Sequence, residues 1–152
     1  ILLSHTHIDH VLGLPFTLPG VKEDMSVHLW AGHLQPELSL KPVLSRLMSS
    51  PLFPIGLEDI RGALAFHDFI AGEMIATKAW DKAGIRVRTI ALSHPDCATG
   101  YRVDYRGGSV CYLTDYEHAS DRPEQALVDF TRGADALIYD STYTDEDFAR
   151  HK

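Results

Sequence analysis

The stretch that most restricts what this chain can become runs from Ser4 to His10 and reads SHTHIDH. Three histidines and an aspartate fall together there, in a chain with 9 histidines among 152 residues. Imidazole and carboxylate are preferred ligands of divalent cations such as zinc. The apolar run Ile1-Leu2-Leu3 stops where the cluster begins, which predicts a buried strand feeding a polar loop. A loop that merely happens to be rich in histidine is the competing reading, and partners further along the chain argue against it.

Those partners sit at the ends of apolar runs. Four such runs finish in ligand-type residues: ILLSHTHIDH, IALSHPD, CYLTDYE and LIYDSTY. In a layered α/β fold the loops beyond the carboxyl ends of strands gather at one edge, where ligands bind. His5, His7, Asp9, His10, His94, Asp115 and Asp140 can therefore meet although the sequence scatters them. His5 and His7, two positions apart, point to the same side of an extended segment. Asp9 and His10 can face a second point nearby, so the pattern suits two metals better than one.

The remaining chain reads as alternating strands and helices. Residues 11–16 (VLGLPF) suit a short helix that Pro15 disturbs. Residues 26–32 (SVHLWAG) read as a strand stopped by Gly32, and residues 40–48 as a helix that tolerates Pro42 in its first turn. A Pro/Gly-rich connector follows at 49–56. Residues 63–70 and 85–92 carry strand patterns, and 100–105 and 109–115 flank Arg106-Gly107-Gly108 as a hairpin. Residues 123–134 form an amphipathic helix with Pro123 at its start and Gly133 at its end; 135–141 is a strand and 145–152 begins another helix.

Length and composition fit one α/β domain, residues 1–152, with a real core: 45% of residues are hydrophobic and 23% charged. A net charge of −7 leaves no broad electrostatic footprint for a long polyanion, so nucleic acid is a poor candidate partner. No apolar run approaches the roughly 20 residues of a membrane span. Two cysteines make no disulfide framework, so a reducing, cytoplasmic setting is expected. The start ILLS, without methionine, looks like the middle of a strand, so these residues are expected to belong to a longer protein.

HTHIDH matches the H-x-H-x-D-H signature of the metallo-β-lactamase fold hydrolases, and the histidine of LSHPD, the aspartate of YLTDYE and the acid of IYDSTY follow in order. Within that superfamily, LSHPDCATGYRVDY followed by GGSVCYLTD most resembles the ribonuclease Z-like and cyclic-phosphate phosphodiesterase branch. The resemblance implies a four-layer αββα sandwich with a binuclear metal site at one edge of two sheets. His5, His7 and His94 would hold the first metal, Asp9 and His10 the second, and Asp115 would bridge them. Asp140 falls where the branch has an acid beside the site, with a role in orienting a ligand histidine. Asp9, Asp115 and Asp140 are thus the acids expected to serve catalysis. The histidine that completes the second site in the family, and the strands that precede the first, have no counterpart here.

The implied chemistry is hydrolysis of a small or cyclic phosphodiester by two divalent metals, which lower the pKa of bound water to about 7. Having histidine at position 7 favours zinc over iron, with manganese or iron still open. Rival activities on the same fold are tRNA processing, lactone hydrolysis and thioester hydrolysis; a non-catalytic sensing domain is the rival outside enzymes. A homodimer is compatible with the same reading. Among the other conspicuous residues, His28 and His67 read as packed or surface histidines, His33 and His118 as loop residues, and Cys97 as a small buried residue. His118 is the one of these most able to line a substrate pocket.

Overall fold

Strand alternation sorts the apolar residues of this chain into three separate cores, and these define the layers. The computed structural model describes residues 1–118, 122, 124–141 and 144–151. Its first sheet holds three parallel strands, β1 (Leu2–Leu3), β2 (Ser26–Ala31) and β3 (Ala63–Asp68), in the order β1-β2-β3. The second holds five, in sequence order: β4 (Met74–Ile75), β5 (Ile85–Leu92), β6 (Ala98–Tyr105), β7 (Gly108–Leu113) and β8 (Ala136–Tyr139). In that sheet β4 to β7 pair antiparallel and β8 joins β7 in parallel.

Alternate residues along a strand face opposite ways. In the first sheet Leu3, Val27, Leu29, Ala31, Leu64 and Phe66 face a helical layer, and their core includes Val11, Leu14, Leu40 and Leu44. The helices of that layer are α1 (Ile8–Val11), α2 (Leu14–Thr17) and α3 (Leu40–Leu47). The opposite faces carry Leu2 and Trp30, which meet Val87, Tyr101, Val103 and Phe69 between the two sheets. On its far side the second sheet packs Ile90, Leu92 and Leu113 against Leu127 and Phe130 of α5 (Gln125–Thr131). The layers are helix, sheet, sheet and helix, the αββα sandwich.

Local chemistry explains most element boundaries. Pro15 sits in the first turn of α2, where its missing N–H costs nothing, and the expected single helix over 11–16 is instead two short ones parted at Leu12-Gly13. The Leu40 N–H at the start of α3 donates to Asp68 Oδ1 at 2.8 Å, which satisfies an orphan donor and ties α3 to the end of β3. The hairpin between β6 and β7 turns on Arg106 and Gly107, with φ of 50° and 84°; two left-handed residues match the twist of the flanking strands. Among the elements that escape the sequence pattern are β4, only two residues long, and α4 (Lys78–Ala83). Yet α4 carries its own start and stop signals. Thr77 Oγ1 accepts from Trp80 N–H at 3.1 Å, and Gly84 ends the helix at φ 74°. The expected helix over 123–134 is shorter than its pattern, Gln125–Thr131, and Pro123 lies outside the described residues. Among the described residues no helix is long and apolar enough to cross a membrane.

Gly100 sits where the outer core of the second sheet is tightest. A Cβ there would collide with Leu113 and lie 2.8 Å from Ile90 Cγ2. Gly100→Ala should therefore destabilise the fold by about 1–3 kcal/mol through overpacking. Urea unfolding followed by circular dichroism checks this through a lower midpoint at unchanged slope.

Candidate metal centre

The ligand-type residues arrive at one edge because both sheets end their strands there. β1 delivers the loop with His5 and His7 and the short helix α1 with Asp9 and His10; β5 ends two residues before His94, and β7 two residues before Asp115. Two hydrogen bonds lock the sheets in register at this edge. Tyr101 Oη donates to Leu3 O at 2.6 Å, and Thr99 N–H to Ser4 O at 2.8 Å. Because Tyr101 and Thr99 lie on β6, the histidine loop of one sheet is fixed against the strand that neighbours β5 and β7.

Three ring nitrogens converge. His7 Nδ1 lies 3.0 Å from His5 Nε2 and 3.2 Å from His94 Nε2. A second set joins His5, His10 and Asp115, with His10 Nε2 3.3 Å from Asp115 Oδ2 and 3.4 Å from Asp9 Oδ2. His5 is the member common to both sets, and its side chain is almost wholly buried. The expectation that residues 4–10 form a plain loop is thus corrected: the last two ligand-type residues ride on a helical turn that starts at Ile8, which sets the His10 ring against His5, with centroids 4.2 Å apart, and Asp9 beside His10.

The outer nitrogens indicate which atoms would face a cation. His5 Nδ1 lies 3.3 Å from Ser4 Oγ, His7 Nε2 3.4 Å from Asp96 Oδ2, and His94 Nδ1 3.9 Å from Glu117 Oε1. The His94 Nδ1 atom is buried without a hydrogen-bond partner. A neutral imidazole carries one proton. Placing it on each outer nitrogen, toward hydroxyl or carboxylate, leaves three lone pairs aimed at one another with no hydrogen between them. That arrangement fits a divalent cation held by three nitrogens with a position left open. Asp96 and Glu117 were not singled out by the sequence pattern, since neither has ligand spacing of its own.

Electrostatics favour a neutral ring at His5. Burial, then the neighbouring His10, pushes the His5 pKa down to about 4. Burial, then His5 and His7, likewise takes His33 to about 4. His33 is a second residue that sequence reasoning left as an ordinary loop histidine. Its Nε2 bonds Thr6 Oγ1 at 3.0 Å, and its ring centroid lies 6.3 Å from that of His5.

The other expected residues fall as follows. Asp140 is at the end of β8, where its Oδ2 accepts from Tyr116 N–H at 3.3 Å and its own N–H bonds Leu113 O. It therefore braces the segment that carries Asp115. His28 and His67 stay out of the cluster: their rings stack on each other, with Nδ1 and Nε2 2.8 Å apart, beside Trp30. His118 meets Tyr139 Oη at 3.0 Å and stacks edge-on to Tyr116, outside both ligand sets. Cys97 is exposed rather than buried, because residues 96 and 97 adopt φ of 61° and 64° and turn the side chain outward just past His94. Asp115 is likewise left-handed, at φ 58°.

An αββα sandwich with a His/Asp cluster at one edge defines the metallo-β-lactamase class of folds. The chain belongs to the beta-lactamase superfamily, whose domain model matches residues 1–152. The structure is similar to the short form of human tRNase Z, with a TM-score of 0.67 and 16% identity over 99% of this chain and 60% of that one. It is similar to Zn(2+)-bound PqqB from Methylobacterium extorquens, with a TM-score of 0.58 and 23% identity over 98% of this chain and 44% of that one. A diphosphatase from the PhnP family matches with a TM-score of 0.57 and 25% identity over 90% of this chain and 45% of that one. A search of curated proteins finds no match. The chain spans about half the length of the solved structures it resembles.

His5 and His33 set a pH dependence for the metal-free fold. Their folded pKa values lie below the ordinary 6.5, so the unfolded chain binds more protons as pH falls. Stability is fully present above pH 6.5 and is lost as pH drops toward 4. Denaturant midpoints measured in chelator should fall between pH 6.5 and about 5, before most carboxylates titrate. A midpoint flat across that window would show that the rings are not held neutral.

Proposed function

We propose that this chain forms the catalytic edge of a two-metal hydrolase acting on small phosphodiesters, cyclic ones included. The observation that carries the reading is the convergence of three histidine ring nitrogens beside a second His/Asp set. His5, His7 and His94 would hold one divalent cation, and Asp9 and His10 the other, with Asp115 between them. Zinc is the preferred ion, because a face of three imidazole nitrogens suits it. Bound there, the cations supply Lewis acidity, making water nucleophilic at neutral pH and neutralising charge on phosphoryl oxygens.

The chain's own residues do the rest. Ser4 and Asp96 would take the outer protons of His5 and His7 and so fix which nitrogen each ring presents. Glu117, 3.9 Å from His94 Nδ1, biases the third ring by its charge alone. Asp140 positions Asp115 through the Tyr116 N–H. The Asp9 side chain is largely exposed beside His10, within reach of both solvent and substrate. A small phosphodiester is favoured over a long nucleic acid by the net charge of −7. The similarity to a diphosphatase of the PhnP family and to tRNase Z supports phosphoester chemistry on this fold. Two free thiols, Cys97 and Cys111, support a reducing, cytoplasmic setting.

Two measurements test the reading. Asp115→Ala should deplete both metals, as measured by elemental analysis of the purified protein, and lower hydrolysis by at least about 100-fold. Full retention of two metals would remove Asp115 from its bridging place. In a substrate panel with added zinc or manganese, bis(p-nitrophenyl) phosphate or a cyclic nucleotide should be turned over well ahead of phosphomonoesters, β-lactams and lactones. Preferential cleavage of a tRNA precursor would move the assignment to a processing nuclease, and faster lactone turnover would discard phosphodiesters.

A further inference from the structure

A second concentration of chemistry lies at the opposite end of the five-stranded sheet. The alternation in IRVRTI sends Val87 and Thr89 between the sheets and Arg86 and Arg88 to the outer face. Register then sets Arg86 across from Asp104 and Arg88 across from Arg102. The apolar side chains of α5 cover that face at its Ile90–Leu92 end, and the carbonyls at the end of the helix reach as far as Arg102, while Arg86, Arg88 and Arg106 stay exposed. The turn with Arg106 and Gly107 closes one side, and a groove of about 510 Å³ results, lined by Arg86, Arg88, Arg102, Asp104, Tyr105 and Arg106 among others.

Four of the chain's nine arginines share this groove, in a protein of net charge −7. Arg102 is the fixed floor. It is buried, and its guanidinium donates to Phe130 O, Arg132 O and Ser109 Oγ as well as to Asp104 Oδ1. Asp104 must serve Arg88 too, through a 3.1 Å contact to Oδ2. The remaining nearby acid, Asp135, is taken by the N–H and Oγ of Ser109. Arg86 and Arg106 make no ion pair among the described residues; Arg106 lies over the Tyr105 ring at 5.1 Å. Four guanidiniums against two carboxylates leave two positive charges in excess.

Like charges facing each other across strands destabilise a sheet, as Arg88 and Arg102 do here, and one shared carboxylate cannot offset both. Guanidinium forks are matched to phosphate oxygens, which they bind in pairs. We propose that this groove is an anion site for a short polyphosphate group, a di- or triphosphate. Its volume and its excess of two charges suit such a group, whereas a nucleic acid strand needs an extended basic stripe, which an acidic chain lacks. Arg86 stands six residues before the end of β5 at Leu92, and at about 3.3 Å per residue that places it roughly 20 Å from the strand end that leads to His94. It is a second site, independent of how the metal edge is read.

The test titrates tripolyphosphate into the intact protein, as purified with its metals, by calorimetry at low salt. One ion per chain should bind, and Arg86→Ala with Arg106→Ala should weaken binding at least about tenfold while leaving bis(p-nitrophenyl) phosphate hydrolysis within twofold. Both side chains are exposed, and the paired Arg86→Lys, Arg106→Lys variant, which keeps the charges, should recover part of the loss. Equal binding by wild type and the alanine double variant would place the anion at the metal edge and overturn the proposal. So would no binding at millimolar ligand. A single-stranded RNA bound more tightly than tripolyphosphate, through the same two arginines, would replace it with a nucleic-acid surface.

Discussion

The hydrogen bonds from Tyr101 Oη to Leu3 O and from Thr99 N–H to Ser4 O hold the rest of the centre in place. His5 and His7 descend from one sheet, His94 and Asp115 from the other. Packing between sheets tolerates small sliding, because apolar contact has no direction. A hydrogen bond of 2.6 Å from a buried phenol to a backbone carbonyl does not, and burial pushes that phenol's pKa well above its ordinary value, so the donor keeps its proton. These contacts convert two independently twisted sheets into one frame on which His5 Nε2 and His94 Nε2 each come within 3.2 Å of His7 Nδ1.

Much of this was legible in the sequence because the chemistry sits at strand ends. An apolar run followed by a ligand-type residue is a local signal, and four such runs were enough to group His5, His7, Asp9, His10, His94 and Asp115 at one edge. The four layers were legible only through the resemblance of HTHIDH and its downstream partners to a family, since alternation shows two faces per strand and not what covers them. The elements that escaped are short. The six residues of α4 give less than two turns of periodicity, although Thr77 and Gly84 mark its limits. Two residues of β4 give no alternation at all.

The supporting residues escaped for a different reason. Asp96 and Glu117 approach His7 and His94, and His33 bonds Thr6 between His5 and His7, through contacts that join distant parts of the chain or depend on backbone direction. Cys97 defeated expectation because a left-handed backbone overrode the preference of a small apolar side chain for the interior. Asp140 was expected to orient a histidine beside the site, and the structure has it accept from the Tyr116 N–H next to Asp115, a contact that no spacing rule encodes.

The three left-handed residues around the centre bear on how this edge can change over evolutionary time. Asp96, Cys97 and Asp115 hold a conformation that costs a residue with a Cβ roughly 1 kcal/mol or more. Glycine would relieve each of them, but it would also remove a carboxylate or thiol and widen the range of motion of the segments beside His94 and Asp115. Drift toward a more stable chain therefore runs against retention of a well-held cluster. At these positions the shape of the main chain and the functional groups are tied together, so neither can be exchanged without altering the other.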